Sequence, residues 1–285
     1  MSKIKYDGNF PRKSIEYCLS AADLDKNDID FIIFSTLSPD YYFPGSGVLL
    51  QRNLGIKEIG ALDVRNQCSG FIYSLSIADQ YIKSGMYKNI LVVGSEIHSG
   101  GLDKSTKGRS VSVIFGDGAG AAVISSTKSE NGILSTHLHS EGKYAEELAV
   151  IKPATTHWID KIKSDQTDES YWPYMNGNFV FKNAVVRFEQ VIKEGLEHSN
   201  LNTEDISLLI PHQANLRISQ FIQKKLKLSD SQVFNNIMKY GNTTAASIPI
   251  ALTEAYQSNL IKENDIVVLA AFGSGFTWGS AVIKW

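Results

Sequence analysis

Two segments of this chain are repeated later in it. Residues 24–36 (LDKNDIDFIIFST) are matched by residues 201–213 (LNTEDISLLIPHQ), each a short polar loop leading into an apolar run. Residues 87–97 (YKNILVVGSEI) are matched in the same way by residues 263–273 (ENDIVVLAAFG). A repeated strand unit separated by helical patterns restricts the chain to a layered α/β protein made of two similar halves. The first half supplies strand candidates at 30–36, 61–64, 89–96 and 111–125, and the second at 132–139, 206–211, 233–235, 266–272 and 277–284. The join falls near 127–132, which divides the chain into halves 1–128 and 129–285. Residues 152–173, polar with scattered aromatics, read as a surface excursion.

With 285 residues and 43% hydrophobic side chains, the chain can bury one large core or two related ones. A formal net charge of -2 excludes a general nucleic-acid binding field, so any anionic ligand must meet a local patch. Cys18 and Cys68 are too few for a disulfide framework or a cysteine-based zinc site, and the expected compartment is the cytoplasm. The first residues hold no apolar signal core. Residues 266–283 carry no charge over nearly the length of a membrane span. Gly273, Ser274, Gly275 and Gly279 interrupt them, and two buried strands joined by a glycine turn fit better, with no membrane partner.

Three polar residues stand where chemistry is expected. Cys68 follows the 61–64 strand and opens a helix whose apolar face is Phe71, Leu75, Ala78 and Ile82, ended by Ser84-Gly85. A thiol at a helix N-terminus faces free N–H groups and the positive end of the dipole, which predicts a favoured thiolate. His212 follows Pro211 at the end of an apolar strand, where α/β sheets place ligand sites. Asn242 lies in YGNTTAAS. Each has a bland reading: a small buried hydrophobe, a satisfied structural imidazole, a turn or helix cap. Together, a thiol, an imidazole and a carboxamide suit acyl transfer from a thioester, with a further N–H offered by the closing GSGF turn at 273–276. Cys, His and Asn in this order also occur in papain-like proteases, but Cys-Ser-Gly-Phe lacks that family's sequence context. His137 and His139 alternate on one strand without a third metal ligand placed nearby, so no metal is expected. Gly116, Gly118 and Gly120 in GDGAG lack the Lys-Ser/Thr of a phosphate loop and read as close-packed strand.

The segments CSGFIYSLSIADQYIKSG, IFGDGAGAA, IPHQANLRI, YGNTTAASIPIAL and AAFGSGFTWGSAVI resemble the β-ketoacyl-acyl carrier protein synthase III branch of the thiolase superfamily. The resemblance spans about residues 28–285 and implies a thiolase-like fold, two α/β halves in a five-layered αβαβα arrangement, assembled as a homodimer. It implies a catalytic triad of Cys68, His212 and Asn242, with an oxyanion hole from the N–H groups of Cys68 and Ser274. The implied reaction joins an acyl-CoA starter, acetyl or another short acyl group, to malonyl-acyl carrier protein with loss of carbon dioxide. Coenzyme A enters as substrate, and no cofactor is implied. By the same resemblance Arg109, Phe115, Asn178, Phe181, Ala214 and Asn215 contact coenzyme A or its pantetheine arm. Lys182 and Arg217 meet acyl carrier protein, and Phe43 closes the partner's acyl pocket across the dimer.

The chain departs from the family pattern in three places. The family carries a longer stretch before the first helix, here expected over 14–22 behind Pro11. That stretch supplies a first strand, expected at the centre of the first sheet, and a tryptophan–arginine clamp for the coenzyme A nucleotide. Residues 1–10 either replace the strand or leave a shortened protein, whose alternative role is a non-catalytic partner of a full-length ketosynthase. Ser274 replaces a glycine, which is tolerable if only its N–H is used, and Tyr240 replaces a histidine, which is expected to alter pocket shape.

Overall fold

Both copies of each repeated segment become strands at equivalent places in two separate sheets. The computed structural model describes residues 11–152 and 169–285, so most of the predicted 152–173 excursion and all of residues 1–10 lie outside the described residues. The first half contains α1 (Arg12–Ala21), β1 (Phe31–Ser35), α2 (Ser46–Leu54), β2 (Gly60–Val64), α3 (Gly70–Lys83), β3 (Asn89–Glu96), α4 (Arg109–Ser112) and β4 (Gly118–Ser125). Its sheet order is β2-β1-β3-β4, with β1 parallel to both neighbours and β4 antiparallel to β3. The second half contains β5 (Gly132–Ser140), β6 (Leu148–Ala149), β7 (Tyr174–Met175), α5 (Gly177–His198), β8 (Leu208–Pro211), α6 (Leu216–Lys225), α7 (Ile237–Tyr240), α8 (Ser247–Gln257), β9 (Ile266–Gly273) and β10 (Thr277–Lys284). Its sheet order is β5-β10-β9-β8, with β8 and β9 parallel and β10 antiparallel to both β9 and β5. The repeat extends to local chemistry. Asp25 and Asp28 form a reciprocal capping box just before β1, and Asn202 and Asp205 form its counterpart before β8.

Strand side chains alternate between two cores, as the two-residue period requires. In β1 and β3, Ile33, Ile90 and Val92 face a central core, while Ile32, Phe34, Leu91 and Val93 face α1 and α2. In β9, Val267, Leu269 and Ala271 face the central core, while Val268, Ala270 and Phe272 face α5 and α6. The central core is filled by Phe71, Ile72, Leu75 and Ala78 of α3 and by Ile248, Ala251 and Ala255 of α8. The order of layers is therefore helices, sheet, helices, sheet, helices, a thiolase-like αβαβα fold. The uncharged 266–283 run is the β9–β10 hairpin, and among the described residues no helix is long and apolar enough to cross a membrane.

Several local expectations need correction. The 111–125 strand is shorter: Arg109–Ser112 is helical and β4 starts at Gly118, because the intervening chain turns to pair Phe115 with Asn242. At 233–235 only Val233 pairs, as a single bridge to Leu209. Cys68 lies in the 3-10 turn Gln67–Ser69, and α3 begins after it. The place of a first strand is also different from that expected. Its counterpart in the second half, β5, sits at the sheet edge beyond β10. The equivalent place in the first half is the outer edge of β4, so the expected gap in a sheet centre does not arise.

The GDGAG glycines set how closely β4 meets the second half. A Cβ at Gly118 would stand 2.8 Å from Thr243 Cγ2, one at Gly120 2.8 Å from Pro249 Cβ, and one at Gly116 2.0 Å from the Tyr240 carbonyl oxygen. Absence of side chains here lets α8 and the Asn242 loop press on the strand.

Candidate active site

The nucleophile candidate is held by a turn locked to the end of the other sheet. After β2 the chain passes through Gln67, whose φ of +43° is uncommon for a residue with a side chain. Such a conformation persists where neighbours over-determine it. Here the Ser69 hydroxyl bridges the Asn66 carbonyl at 3.0 Å and the Thr277 hydroxyl at 2.7 Å. Thr277 in turn donates to the Ser274 carbonyl at 3.0 Å. The β9–β10 turn therefore lies directly over Cys68. A Cβ at Gly273 would stand 2.5 Å from Cys68 Cβ and 3.0 Å from Sγ. Only glycine leaves room for the sulfur. The backbone N–H groups of Ser274 and of Cys68 itself lie close to the thiol and act to lower its pKa.

The expectation of a favoured thiolate is corrected by burial. Cys68 is 7% exposed, and desolvation pushes its thiol up to about 12, helped by the charge of Glu96 and opposed by the two N–H groups. The 3-10 turn also holds Cys68 before the first turn of α3. Glu96 is a residue the sequence reasoning missed. Its signal was a lone charge ending the apolar run NILVVGSE. Its buried carboxylate accepts from Leu37 N–H at 3.1 Å, Ser38 Oγ at 2.9 Å and Thr36 Oγ1 at 3.2 Å. Burial raises its own pKa despite those donors.

His212 extends the β8 ladder by donating its N–H to Ala270 O at 2.8 Å, which carries the imidazole past the strand end. Its Nδ1 lies 2.6 Å from Ser247 Oγ, and Nε2 is buried without a hydrogen-bond partner among the described residues. Burial lowers its pKa to about 3, so the ring is neutral near pH 7. Asn242 is held on both sides by the 114–116 segment: its N–H donates to Ile114 O at 2.8 Å, and its carbonyl accepts from Gly116 N–H at 3.0 Å. Its Oδ1 accepts from Thr244 N–H at 2.9 Å, which leaves the amide NH2 as the free donor.

Cys68, His212 and Asn242 line one cavity of about 100 Å³. Of the other sequence-predicted residues, Phe115, Phe181, Ala214 and Asn215 line it too. Its wall also includes Leu148, Met175, Phe188 and Phe272, none of which was singled out from the sequence as a site residue. Asn178 is exposed and outside the lining, although Gly177 and Phe181 beside it belong. Arg109 is exposed at the start of α4, away from the cavity wall. Lys182 and Arg217 are exposed on α5 and α6, next to the cavity-lining residues Phe181 and Ile218. Phe43 is 74% exposed within a run that includes Tyr41 and Tyr42. Ser274 places its N–H near the thiol, and its hydroxyl donates to the carbonyl of Leu148, a cavity-lining residue, at 2.5 Å. Tyr240 does not shape the cavity: its hydroxyl turns away to Glu254 Oε1 at 2.6 Å. His137 and His139 do share a face, where both meet Glu194, at 3.3 and 2.6 Å.

Comparison with known proteins gives a consistent set of likenesses. Residues 62–142 match the family described as 3-Oxoacyl-[acyl-carrier-protein (ACP)] synthase III, and residues 196–285 match its C-terminal counterpart. The chain is 44% identical over 266 residues to the Beta-ketoacyl-[acyl-carrier-protein] synthase III of Aliivibrio fischeri, covering 93% of this chain and 80% of that protein. It is 44% identical over 267 residues to the synthase of the same name from Methylococcus capsulatus, covering 94% and 80%. The crystal structure of 3-oxoacyl-[acyl-carrier-protein] synthase III from Aquifex aeolicus superposes with a TM-score of 0.90 at 38% identity, covering 100% of this chain and 86% of that one.

Proposed function

Because the chain belongs to the 3-oxoacyl-[acyl-carrier-protein] synthase III family of acyltransferases, we propose that it performs a decarboxylative Claisen condensation through an acyl-Cys68 intermediate. The observation that carries this reading is the cavity itself. A thiol under two backbone N–H donors shares it with an imidazole whose Nε2 has no partner and a carboxamide whose NH2 is free.

In the first step the Cys68 sulfur attacks the carbonyl carbon of an acyl-CoA. The oxyanion is met by the N–H groups of Cys68 and Ser274, and each such donor contributes roughly 3 to 4 kcal/mol in related chemistry. The C–S bond to coenzyme A then breaks, and the departing sulfur takes the thiol proton. In the second step malonyl-acyl carrier protein loses carbon dioxide. The electron pair of the broken C–C bond moves into an enolate that accepts hydrogen bonds from His212 and Asn242. The enolate carbon attacks the acyl-Cys68 carbonyl, the C–S bond to Cys68 breaks, and the released sulfur takes a proton from solvent. The chemistry needs no cofactor, since coenzyme A is a substrate and asparagine cannot act as a base that would activate water.

The starter is proposed to be acetyl or another short acyl group. The exposed positive charges of Lys182 and Arg217, each next in sequence to a cavity-lining residue, support docking of an acidic carrier protein. The exposed Tyr41, Tyr42, Phe43 and Val48 side chains support a homodimer in which Phe43 reaches the partner's pocket. Arg109 and Asn178, exposed outside the cavity wall, are left to meet the outer part of coenzyme A. The test is mass spectrometry of protein incubated with acetyl-CoA. An acetyl adduct on Cys68, absent in Cys68→Ala, is expected. An adduct that persists in Cys68→Ala would overturn the assignment.

A further inference from the structure

We propose that Ser247 is a positioning residue that fixes His212 in the tautomer protonated at Nε2, so that the imidazole enters the reaction as a hydrogen-bond donor and not as a base toward Cys68. The inference rests on the condensation reading above and specifies what His212 does in it.

Ser247 is the first residue of α8 and is 2% exposed. Its Oγ has two polar neighbours among the described residues: His212 Nδ1 at 2.6 Å and the Gln213 N–H at 3.4 Å. A hydroxyl offers one proton and two lone pairs, whereas a backbone N–H can only donate. The Gln213 contact therefore uses a lone pair, and the one acceptor within reach of the Ser247 proton is Nδ1. The opposite assignment would aim two donors at Oγ and leave a buried O–H with no acceptor, which is the costlier state. With Nδ1 accepting, the single proton of a neutral ring sits on Nε2. That is the buried atom with no partner, on a side chain that lines the cavity beside Cys68 and Asn242.

The same turn sets both donors. Thr244 N–H occupies Asn242 Oδ1 and leaves the NH2 free, and Ser247, at the end of that turn, occupies His212 Nδ1 and leaves Nε2–H free. Gln213 anchors the arrangement, because its Oε1 accepts from Asn236 N–H at 2.9 Å and Ile237 N–H at 3.2 Å, at the head of the helix leading to Asn242. Both donors belong to side chains that line the same cavity as Cys68. No lone pair on His212 is left to take the thiol proton.

Protein labelled with 15N-histidine, observed by long-range 1H–15N correlation, reports which ring nitrogen carries the proton. The His212 signal is assigned by its loss in His212→Asn. The unmodified protein should show the Nε2–H form, Ser247→Ala should shift His212 toward Nδ1–H, and Ser247→Thr should restore it. In parallel, decarboxylation of malonyl-acyl carrier protein by acylated Ser247→Ala should fall about 10²-fold, while acylation of Cys68 stays close to its unmodified rate. An Nδ1–H form in the unmodified protein, or a tautomer unmoved by Ser247→Ala, overturns the proposal. The labelled unmodified protein tests it even if the variant does not fold. A tautomer that responds as expected in a protein with no decarboxylase activity would instead overturn the condensation reading.

Discussion

Gly273→Ala adds one methyl group at the point where the two sheets meet over the thiol. The new Cβ would lie 2.5 Å from Cys68 Cβ, 3.0 Å from Sγ and 3.3 Å from the Cys68 nitrogen. Non-bonded carbons rest at about 3.5 to 4.0 Å, so the turn carrying Cys68 and the end of β9 must separate by roughly 1 Å or more. Ser274 follows Gly273 directly, and the separation withdraws its N–H from the sulfur. Misplacement on this scale costs about 10²-fold in rate, and loss of one oxyanion donor costs about 10² to 10³. Acylation of Cys68 by acetyl-CoA, followed by mass spectrometry over time, should therefore slow at least about 10²-fold. Overpacking should also destabilise the fold by about 1 to 3 kcal/mol, lowering Tm by several degrees. Gly142→Ala is the control, because a Cβ there meets nothing within 4 Å. Near-normal acylation by Gly273→Ala, with Tm unchanged, would refute the geometry described for the thiol.

Two further outcomes follow from the buried ionisable groups. Glu96→Gln removes a negative charge that holds the Cys68 thiol up, so iodoacetamide should alkylate Cys68 from a lower pH than in the unmodified protein, and an unchanged or higher onset sinks the idea. Burial lowers His212 to about 3 and His98 to about 4, against an ordinary value near 6.5. Below about pH 6.5 the unfolded chain binds protons that the folded protein refuses, so stability present above that pH is lost toward pH 4, by at most about 1.4 kcal/mol per pH unit for each histidine. Glu96, whose pKa is raised, acts in the opposite sense. Thermal melts at pH 7.5 and 5.5 should show a smaller loss in His98→Gln than in the unmodified protein. An equal loss in both would count against a buried neutral His98.

The repeated segments made two similar α/β halves legible from sequence, whereas the five-layer arrangement was implied only by the family resemblance. The residues in and around Cys68, His212 and Asn242 stood out because helix starts and strand ends are local features. Other elements were less legible. Residues 111–117 have an apolar, strand-like composition, yet they leave the sheet because Phe115 pairs with Asn242, a partner far along the chain. Ser247 stands in a run of small residues, and nothing around it marks its hydroxyl as the partner of a histidine on another element.

Sequence alone singled out Cys68, His212 and Asn242 as candidates and the strand end or turn near which each one sits, because periodicity, capping and turn propensity act over neighbouring residues. The tertiary structure decided their electrostatic state. A helix start suggested a thiolate, but desolvation depends on everything packed around the sulfur, and Gly273, Glu96 and the β9–β10 turn come from distant parts of the chain. The edge position of β5 was likewise a matter of sheet order, set by which strands meet in space.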